Sequence, residues 1–234
     1  MVKNIGSSNL ENRSHEIRTF MTRIIGLTDL TLMTELTEEQ RDYLTTVKSS
    51  TKLLSQILND ILDHSKIQTA KSDLEKVPFD IWSTIYEVVD SFQVAVKRKN
   101  ISLRVDHIDK AIPKNLIGDS SKLKQILINL VSNSVRFTIN GEVTLTVDVE
   151  EQLQNTILLK FMVADTGIGI SEDQLVRLFS RSSPVDDYNS KESSGTGLGL
   201  IISKKLVELM NGNIYLESKV GVGSKVCFTV EFGV

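Results

Sequence analysis

The spacing of hydrophobic residues changes near residue 72, and this change limits the possible folds of the chain more than any other feature. Before it, apolar residues recur at helical spacing in two long stretches without proline, residues 5–33 and 38–70. After it, short alternating patterns typical of strands are mixed with helical ones. We therefore predict two domains, residues 1–72 and residues 73–234.

The first domain is predicted to be a helical hairpin. Thr37 is a suitable N-cap for the second helix, because Gln40 follows three residues later and can complete a capping box. Two long amphipathic helices joined by a short turn form an antiparallel pair. A lone pair buries too little apolar surface to be stable, so we expect two copies to form a four-helix bundle, and hence a homodimer.

His15 is the most unusual residue of this hairpin. Apolar residues gather on one side of a helical wheel: Leu10, Ile17, Met21, Ile24, Thr28 and Leu32. His15 lies about 140° from the centre of that stripe, with Glu16 beside it and Thr19 one turn further on. A neutral imidazole is nucleophilic near pH 7. These residues alone also fit an ordinary surface histidine.

The second domain reads as an α+β sandwich with helices on one face of a sheet. Pro78 ends helix after a polar connector, residues 70–77. Helical patterns then cover residues 81–97, 119–137 and 196–210. Asp119 is the expected N-cap of the second of them, and Asn211-Gly212 ends the last. Alternating patterns predict strands at residues 101–105, 143–149, 159–163, 214–217 and 225–232.

One predicted helix of this domain carries a polar face. Asn129, Asn133 and Arg136 share it, whereas leucine and isoleucine residues occupy another face. Amide oxygens suit a hydrated Mg²⁺ ion, and a guanidinium suits phosphate oxygens. The same pattern also fits a polar face that is simply solvated.

Two glycine-rich stretches flank further predicted elements. Asp165 ends a strand and is followed by Gly167 and Gly169, which let a flat ligand approach the backbone closely. A buried carboxylate there can accept a hydrogen bond from an adenine amine, although a simple turn fits too. The second stretch, residues 195–200, opens a helix whose N–H groups can bind phosphate. It does not follow a strand directly, which argues against a dinucleotide-binding fold. The polar residues 180–194 before it can form a lid.

Composition excludes several classes of function. A net charge of −3 gives no general attraction to nucleic acid or anionic membrane. Cys227 is the only cysteine, so a thiolate metal cluster is excluded. No apolar run reaches the roughly 20 residues that span a bilayer, and no signal peptide is visible. We therefore expect a cytoplasmic fragment without nucleic-acid or membrane contact.

Four motifs in this order resemble the catalytic core of two-component sensor histidine kinases. His15 through Thr19 is similar to the family's phosphoacceptor box, and Asn129 through Phe137 to its asparagine box. Asp165 through Gly169 is similar to the first glycine box, and residues 195–200 to the second. The resemblance covers nearly the whole chain and is closest to bacterial hybrid-type kinases. It implies a dimeric helical hairpin followed by a two-layer α/β sandwich that binds ATP, as in gyrase-type and chaperone ATPases.

This resemblance implies an ATP-dependent protein-histidine kinase that phosphorylates His15 and passes the phosphoryl group to an aspartate of a response regulator receiver domain. Glu16 would accept the proton of His15, and Thr19 would position water for a phosphatase reaction. The implied ATP and Mg²⁺ site contains residues of the asparagine and glycine boxes. They are Asn129, Asn133, Arg136, Phe137, Asp165, Gly167, Gly169, Gly195, Thr196, Gly197, Leu198 and Gly199. Asn133 and Asn129 would hold the metal.

The chain departs from the family pattern at a few positions. Phe20 replaces the usual proline after the phosphoacceptor box, which implies a straighter first helix. Leu178-Phe179 stands at the phenylalanine box, but Ser182 replaces its second aromatic residue, and Arg136 replaces a lysine. These departures motivate one alternative, a degenerate kinase that acts as a dimerising signalling scaffold. A second alternative is an ATPase that releases free phosphate and does not need His15. The resemblance is also compatible with a membrane-bound full-length sensor.

Overall fold

The computed structural model describes residues 5–48, 51, 74–175 and 198–234, and in the first helix it describes side chains at Ile17 and from Thr19 onward. The chain divides into two compact units, Met1–Ser72 and Asp73–Val234. None of the described helices is both long and apolar enough to cross a membrane.

The first unit contains two helices joined by a short turn. Helix α1 spans Ile5–Leu32 and passes Phe20 without interruption, and α2 covers residues 38–48 of the described chain. The Thr37 N–H donates to Gln40 Oε1 at 3.0 Å, and the Gln40 N–H donates to Thr37 Oγ1 at 3.2 Å. This reciprocal pair confirms the predicted capping box. An ion pair between Lys48 and Asp29 links the two helices further from the turn.

The apolar residues of α1 divide into a buried set and an exposed set. Met21 is only 3% exposed and Thr28 is buried as well. Ile17, Phe20, Ile24 and Leu27 are all exposed, and Phe20 has 59% of its surface accessible. On a helical wheel, the exposed set lies about 70° from the buried one. The hairpin therefore covers one apolar strip of α1 and leaves an adjacent strip uncovered.

The second unit is a two-layer α/β sandwich, as the fold prediction required. Its helices are α3 (Ile81–Ser91), α4 (Gln93–Lys99), α5 (Ser120–Phe137), α6 (residues 172–175 of the described chain) and α7 (Leu198–Leu209). Its strands are β1 (Val77–Asp80), β2 (Ser102–Ile108), β3 (Asn115–Gly118), β4 (Glu142–Gln152), β5 (Thr156–Asp165), β6 (Ile214–Lys219) and β7 (Gly223–Gly233).

These strands form a seven-stranded mixed sheet in the order β1-β3-β7-β5-β4-β2, with β6 paired to β7. The long pairs β4–β5 and β5–β7 are antiparallel, whereas β2 and β4 run parallel. Alternate residues of the central strands point to the helices and are fully buried, and Phe161 and Phe228 stack with ring centroids 4.8 Å apart. Buried leucine and isoleucine side chains of α5 complete this core.

Two details of the sequence prediction are wrong. The predicted helix 81–97 is two helices, α3 and α4, because Phe92 interrupts it with its N–H bonded to Val89 O at 3.1 Å. Strands β1 and β3 were not predicted, since four-residue strands show no clear alternation. Pro78 lies in β1, which is an edge strand, where the lack of a proline N–H is tolerated.

Candidate functional site

Helix α5 forms the floor of the candidate site, and Asp119 fixes where it begins. Asp119 is 4% exposed and accepts hydrogen bonds from the Lys122 N–H at 3.1 Å, Ser121 Oγ at 2.6 Å and the Glu75 N–H at 3.3 Å. Burial opposes ionisation of this carboxyl, but the three hydrogen bonds outweigh burial and hold the pKa of Asp119 below its ordinary value. The N-cap was predicted, whereas the bond to the connector at Glu75 was not.

Asn129 and Asn133 face the start of α7. Asn129 Nδ2 donates to Gly199 O at 3.4 Å. A Cβ atom added at Gly199 would lie 3.8 Å from Asn129 Cγ and 4.0 Å from Asn133 Nδ2. Gly199, the described glycine of the second glycine box, is therefore next to both amides of the asparagine box.

Asp165 lies at the end of β5, beside the last turn of α5. Asp165 Oδ2 accepts a hydrogen bond from Ser134 Oγ at 2.9 Å. Asp165 Oδ1 accepts two, from the Gly167 N–H at 2.9 Å and from the Ser224 N–H at 3.3 Å. The carboxylate is thus oriented by contacts from α5, from its own turn and from β7.

The glycines after Asp165 allow the turn to approach its neighbours closely. A Cβ atom at Gly167 would lie 2.7 Å from Phe137 O and 2.8 Å from Asp165 Oδ1. Gly169 has a φ of +70°, and a Cβ there would lie 2.1 Å from Lys219 O. Both positions therefore require glycine, one for close packing on α5 and the other for its conformation as well.

Arg136 and Phe137 occupy the last turn of α5. The Arg136 guanidinium carbon lies 4.4 Å from the centroid of the Phe137 ring, a cation–π contact. Partial burial lowers the pKa of Arg136 from its ordinary value, although arginine remains charged at neutral pH. Phe137 O accepts a hydrogen bond from the Ile168 N–H at 3.3 Å, which joins α5 to the turn after Asp165.

The structure thus brings together Asn129, Asn133, Arg136, Phe137, Asp165, Gly167, Gly169 and Gly199 around one helix. Asn129 and Phe137 are separated by about 12 Å along its axis. Gly195, Thr196, Gly197, the Leu198 side chain and residues 178–182 lie outside the described residues, as do the side chains of His15 and Glu16. Thr19 is exposed on α1 of the other unit.

Sequence reasoning missed several residues that support the site. Ser134 and Ser224 hold the Asp165 carboxylate, and Lys99 bonds to the end of α5. The sequence did contain a signal for Ser134, because it is a polar residue on the otherwise apolar, buried face of the amphipathic helix α5. Among the described residues, no group of three or more histidine, cysteine or carboxylate side chains could hold a metal ion.

Comparison with known families agrees with this geometry. The family described as "Histidine kinase-, DNA gyrase B-, and HSP90-like ATPase" matches residues 118–234, and the His Kinase A phospho-acceptor domain matches residues 10–70. The chain belongs to the two-component sensor histidine kinases. The prediction of the family and of the gyrase-type fold is confirmed.

Individual relatives of this histidine kinase chain are much longer. It is 41% identical over 226 residues to the signal transduction histidine-protein kinase BarA of Escherichia coli K12, covering 97% of this chain and 24% of BarA. It is 41% identical to hybrid signal transduction histidine kinase L of Dictyostelium discoideum, covering 95% of this chain and 13% of that protein. The crystal structure of full-length ShkA with AMPPNP has a TM-score of 0.76 at 29% identity, covering 98% of this chain and 47% of ShkA. The chain therefore spans about a quarter or less of BarA and of hybrid kinase L, and about half of ShkA.

Proposed function

We propose that this chain is the catalytic core of an ATP-dependent protein-histidine kinase that phosphorylates His15. The observation that carries the proposal is the arrangement of side chains along α5. Asn129 and Asn133, about the middle of the helix, lie against Gly199, and Asp165 lies beside its last turn. This arrangement has one end suited to phosphates and one suited to a purine. The AMPPNP bound by ShkA supports the same use of the fold.

Asp165 has capacity for an adenine base. An ionised carboxylate has about four acceptor positions. Three of them are used by Gly167, Ser224 and Ser134. The remaining position, on Oδ2, would accept the adenine amine. The glycines that follow would let the flat base lie against the turn.

Asn133 and Asn129 fit a magnesium ion bound together with phosphates. The Asn129 amide nitrogen is the atom that contacts Gly199 O, and Mg²⁺ prefers oxygen, so the amide oxygen would be the ligand. With few protein ligands, Mg²⁺ keeps waters and takes phosphate oxygens. When bound, it would neutralise charge on the β- and γ-phosphates. Arg136 would add a fixed positive charge near the last turn of α5.

The proposed transfer step uses residues of both units. A lone pair on an imidazole nitrogen of His15 would form the N–P bond as the bond from the γ-phosphorus to the bridging oxygen breaks, releasing ADP. Glu16 would accept the proton of the other ring nitrogen, which keeps the imidazole nucleophilic. The phosphoryl group would then pass to an aspartate of a response regulator receiver domain. In a separate phosphatase reaction, Thr19 would orient a water that hydrolyses the phosphoaspartate of the receiver domain and releases inorganic phosphate.

The uncovered strip of α1 supports a homodimer. Ile17, Phe20, Ile24 and Leu27 recur at helical spacing and are exposed in the single hairpin. They lie next to the strip buried at Met21, so one helix would contact two neighbours, as in a four-helix bundle. A second copy of the hairpin is therefore the proposed partner.

The experiment that tests the proposed reaction is incubation with γ-labelled ATP. The wild-type chain should acquire label that is stable in base and labile in acid, as expected for a phosphorus–nitrogen bond. His15→Ala should abolish the label and leave ATP affinity by calorimetry intact. Asn133→Ala should abolish the label and also reduce the Mg²⁺-dependent part of the affinity.

The two alternatives give different results in the same assay. A signalling scaffold would give no label in the wild type. A conformational ATPase would release free phosphate at the same rate in wild type and His15→Ala. Equal losses of ATP affinity in His15→Ala and Asn133→Ala would mean that His15 is misassigned as the acceptor.

A further inference from the structure

The carbonyl groups at the C-terminal end of α5 are held by residues from three places in the second unit. The last four carbonyls of any helix have no partner within it. Ser134 O accepts from the Thr138 N–H at 3.0 Å and from Thr138 Oγ1 at 2.7 Å. Phe137 O accepts from the Ile168 N–H at 3.3 Å. These contacts account for the first and last of the four carbonyls.

Lys99 binds the two carbonyls between them. Its ammonium nitrogen lies 2.7 Å from Val135 O, 2.8 Å from Arg136 O and 2.9 Å from Thr138 O. An ammonium group has three N–H donors, and here each has a carbonyl within hydrogen-bond distance. Its positive charge also lies at the negative end of the α5 dipole.

The backbone of Lys99 is fixed by the end of α4. Lys99 is the last residue of that helix, and Asn100 follows with a φ of 55°. The Ile101 N–H donates to Val96 O and the Asn100 N–H donates to Lys97 O, both at 3.2 Å. This pair of bonds is a Schellman motif, and Val96 and Ile101 are both buried beside it. The lysine therefore extends from a rigid point on a neighbouring helix.

The turn that Lys99 holds is the turn that carries two proposed nucleotide contacts. Arg136 and Phe137 belong to it, and Ser134 in the same turn donates to Asp165. We infer that Lys99 is a positioning residue for the nucleotide site: it fixes the last turn of α5 so that Arg136 and Phe137 keep their place relative to the Asp165 turn. This inference rests on the proposed use of that site for ATP.

The test compares variants of the whole chain by ATP calorimetry and thermal melting. Lys99→Met removes the three bonds and one charge. We expect ATP affinity to fall about tenfold, because Arg136 and Phe137 would no longer be held in place relative to the Asp165 turn. Lys97→Met removes a charge from the same turn of α4, and we expect less than a twofold change. Lys99→Arg keeps charged donors and should recover most of the affinity.

A second control separates positioning from general loosening of α5. Thr138→Val removes the bond from Thr138 Oγ1 to Ser134 O and retains the backbone carbonyl that Lys99 binds. It should lower the melting temperature with little change in ATP affinity. If Lys99→Met does not fold, Lys99→Gln, which lacks the charge and one donor, takes its place and should lose affinity several-fold.

Equal ATP affinities for Lys99→Met and Lys97→Met would overturn the inference. It would also be overturned if Lys99→Met and Thr138→Val lowered the melting temperature equally and Lys99→Met lost no more ATP affinity than Thr138→Val. The measurements do not depend on phosphoryl transfer. A wild-type chain that binds ATP without labelling His15 would contradict the proposed reaction and leave the comparison of Lys99 variants decisive.

Discussion

Replacement of Asp165 by asparagine should shift the base preference of the nucleotide site from adenine toward hypoxanthine, the base of inosine triphosphate. Oδ1 of Asp165 accepts two backbone N–H groups, from Gly167 and Ser224, and only an oxygen can do so. An asparagine would therefore keep its Oδ1 at that position and turn its Nδ2 toward Ser134 and the base. Ser134 is compatible with either atom, because a hydroxyl both donates and accepts.

The fold should tolerate this change, whereas adenine binding should not. The adenine amine is a donor, so Nδ2 of asparagine would oppose it, and the charge-assisted bond would be lost. Hydrogen bonds to charged groups contribute about 1.5–3 kcal/mol. We expect ATP affinity to fall by about 10- to 100-fold. Inosine triphosphate carries an oxygen where ATP carries the amine, so it should bind Asp165→Asn better relative to ATP than it binds the wild type.

Calorimetric titration of both nucleotides into both proteins measures the ratio of the two dissociation constants. The dissociation constant of inosine triphosphate divided by that of ATP should be at least about tenfold lower in Asp165→Asn than in the wild type, a factor that corresponds to 1.4 kcal/mol. Ser134→Ala is the matched control, because it removes a bond to Asp165 Oδ2 without changing the base contact. It should leave the ratio unchanged. An unchanged ratio in Asp165→Asn would refute adenine recognition by Asp165.

Three further predictions concern other parts of the chain. Gly199→Ala should fold normally, since the added Cβ would make only ordinary van der Waals contacts. It should weaken Mg²⁺-ATP binding about tenfold in calorimetry, because the methyl group would fill space beside Asn133. Gly26→Ala, where nothing lies within 4 Å of the added Cβ, is the control and should leave Mg²⁺-ATP binding unchanged. Asp119→Asn should melt below the wild type at pH 7. The folded-state pKa of Asp119 is depressed, so its stabilisation is present above its unfolded pKa of about 3.9 and is lost as pH falls further, and the two melting curves should converge there. Phe20→Ser should raise the dimer dissociation constant about a hundredfold in sedimentation equilibrium, because the proposed dimer would bury one Phe20 ring from each copy. Met33 is 82% exposed and lies outside the uncovered strip of α1, so Met33→Ser should change the dissociation constant little.

Local signals in the sequence were sufficient for the elements with strong periodicity. Helix α5 begins after Asp119 and ends at Phe137 as predicted, because a good N-cap precedes a long amphipathic run. Strands β4 and β5 alternate clearly and pair as neighbours. The short strands β1 and β3 depend on pairing with each other across about 40 residues, and no local pattern reports such pairing.

In the candidate site, too, the arrangement of residues within one helix was predictable, whereas contacts between elements were not. Spacing of four and three placed Asn129, Asn133 and Arg136 on one face of α5, and their common face is a property of the helix itself. The resemblance to histidine kinases supplied the roles of the glycines. The contact between Asn129 and Gly199 required the tertiary fold, since the two residues are 70 positions apart.

The end of α5 shows why the supporting residues could not be predicted. Every helix leaves unpaired carbonyls at its C-terminus, so the need for donors near Phe137 follows from the sequence alone. The donors that meet this need come from α4, from Thr138 and from the turn after Asp165. Lysines are abundant near helix ends, and nothing local distinguishes Lys99 from Lys97. Only the packing of α4 beside α5 makes one of them a support of the nucleotide site, and for that reason the two lysines form the most informative pair of variants.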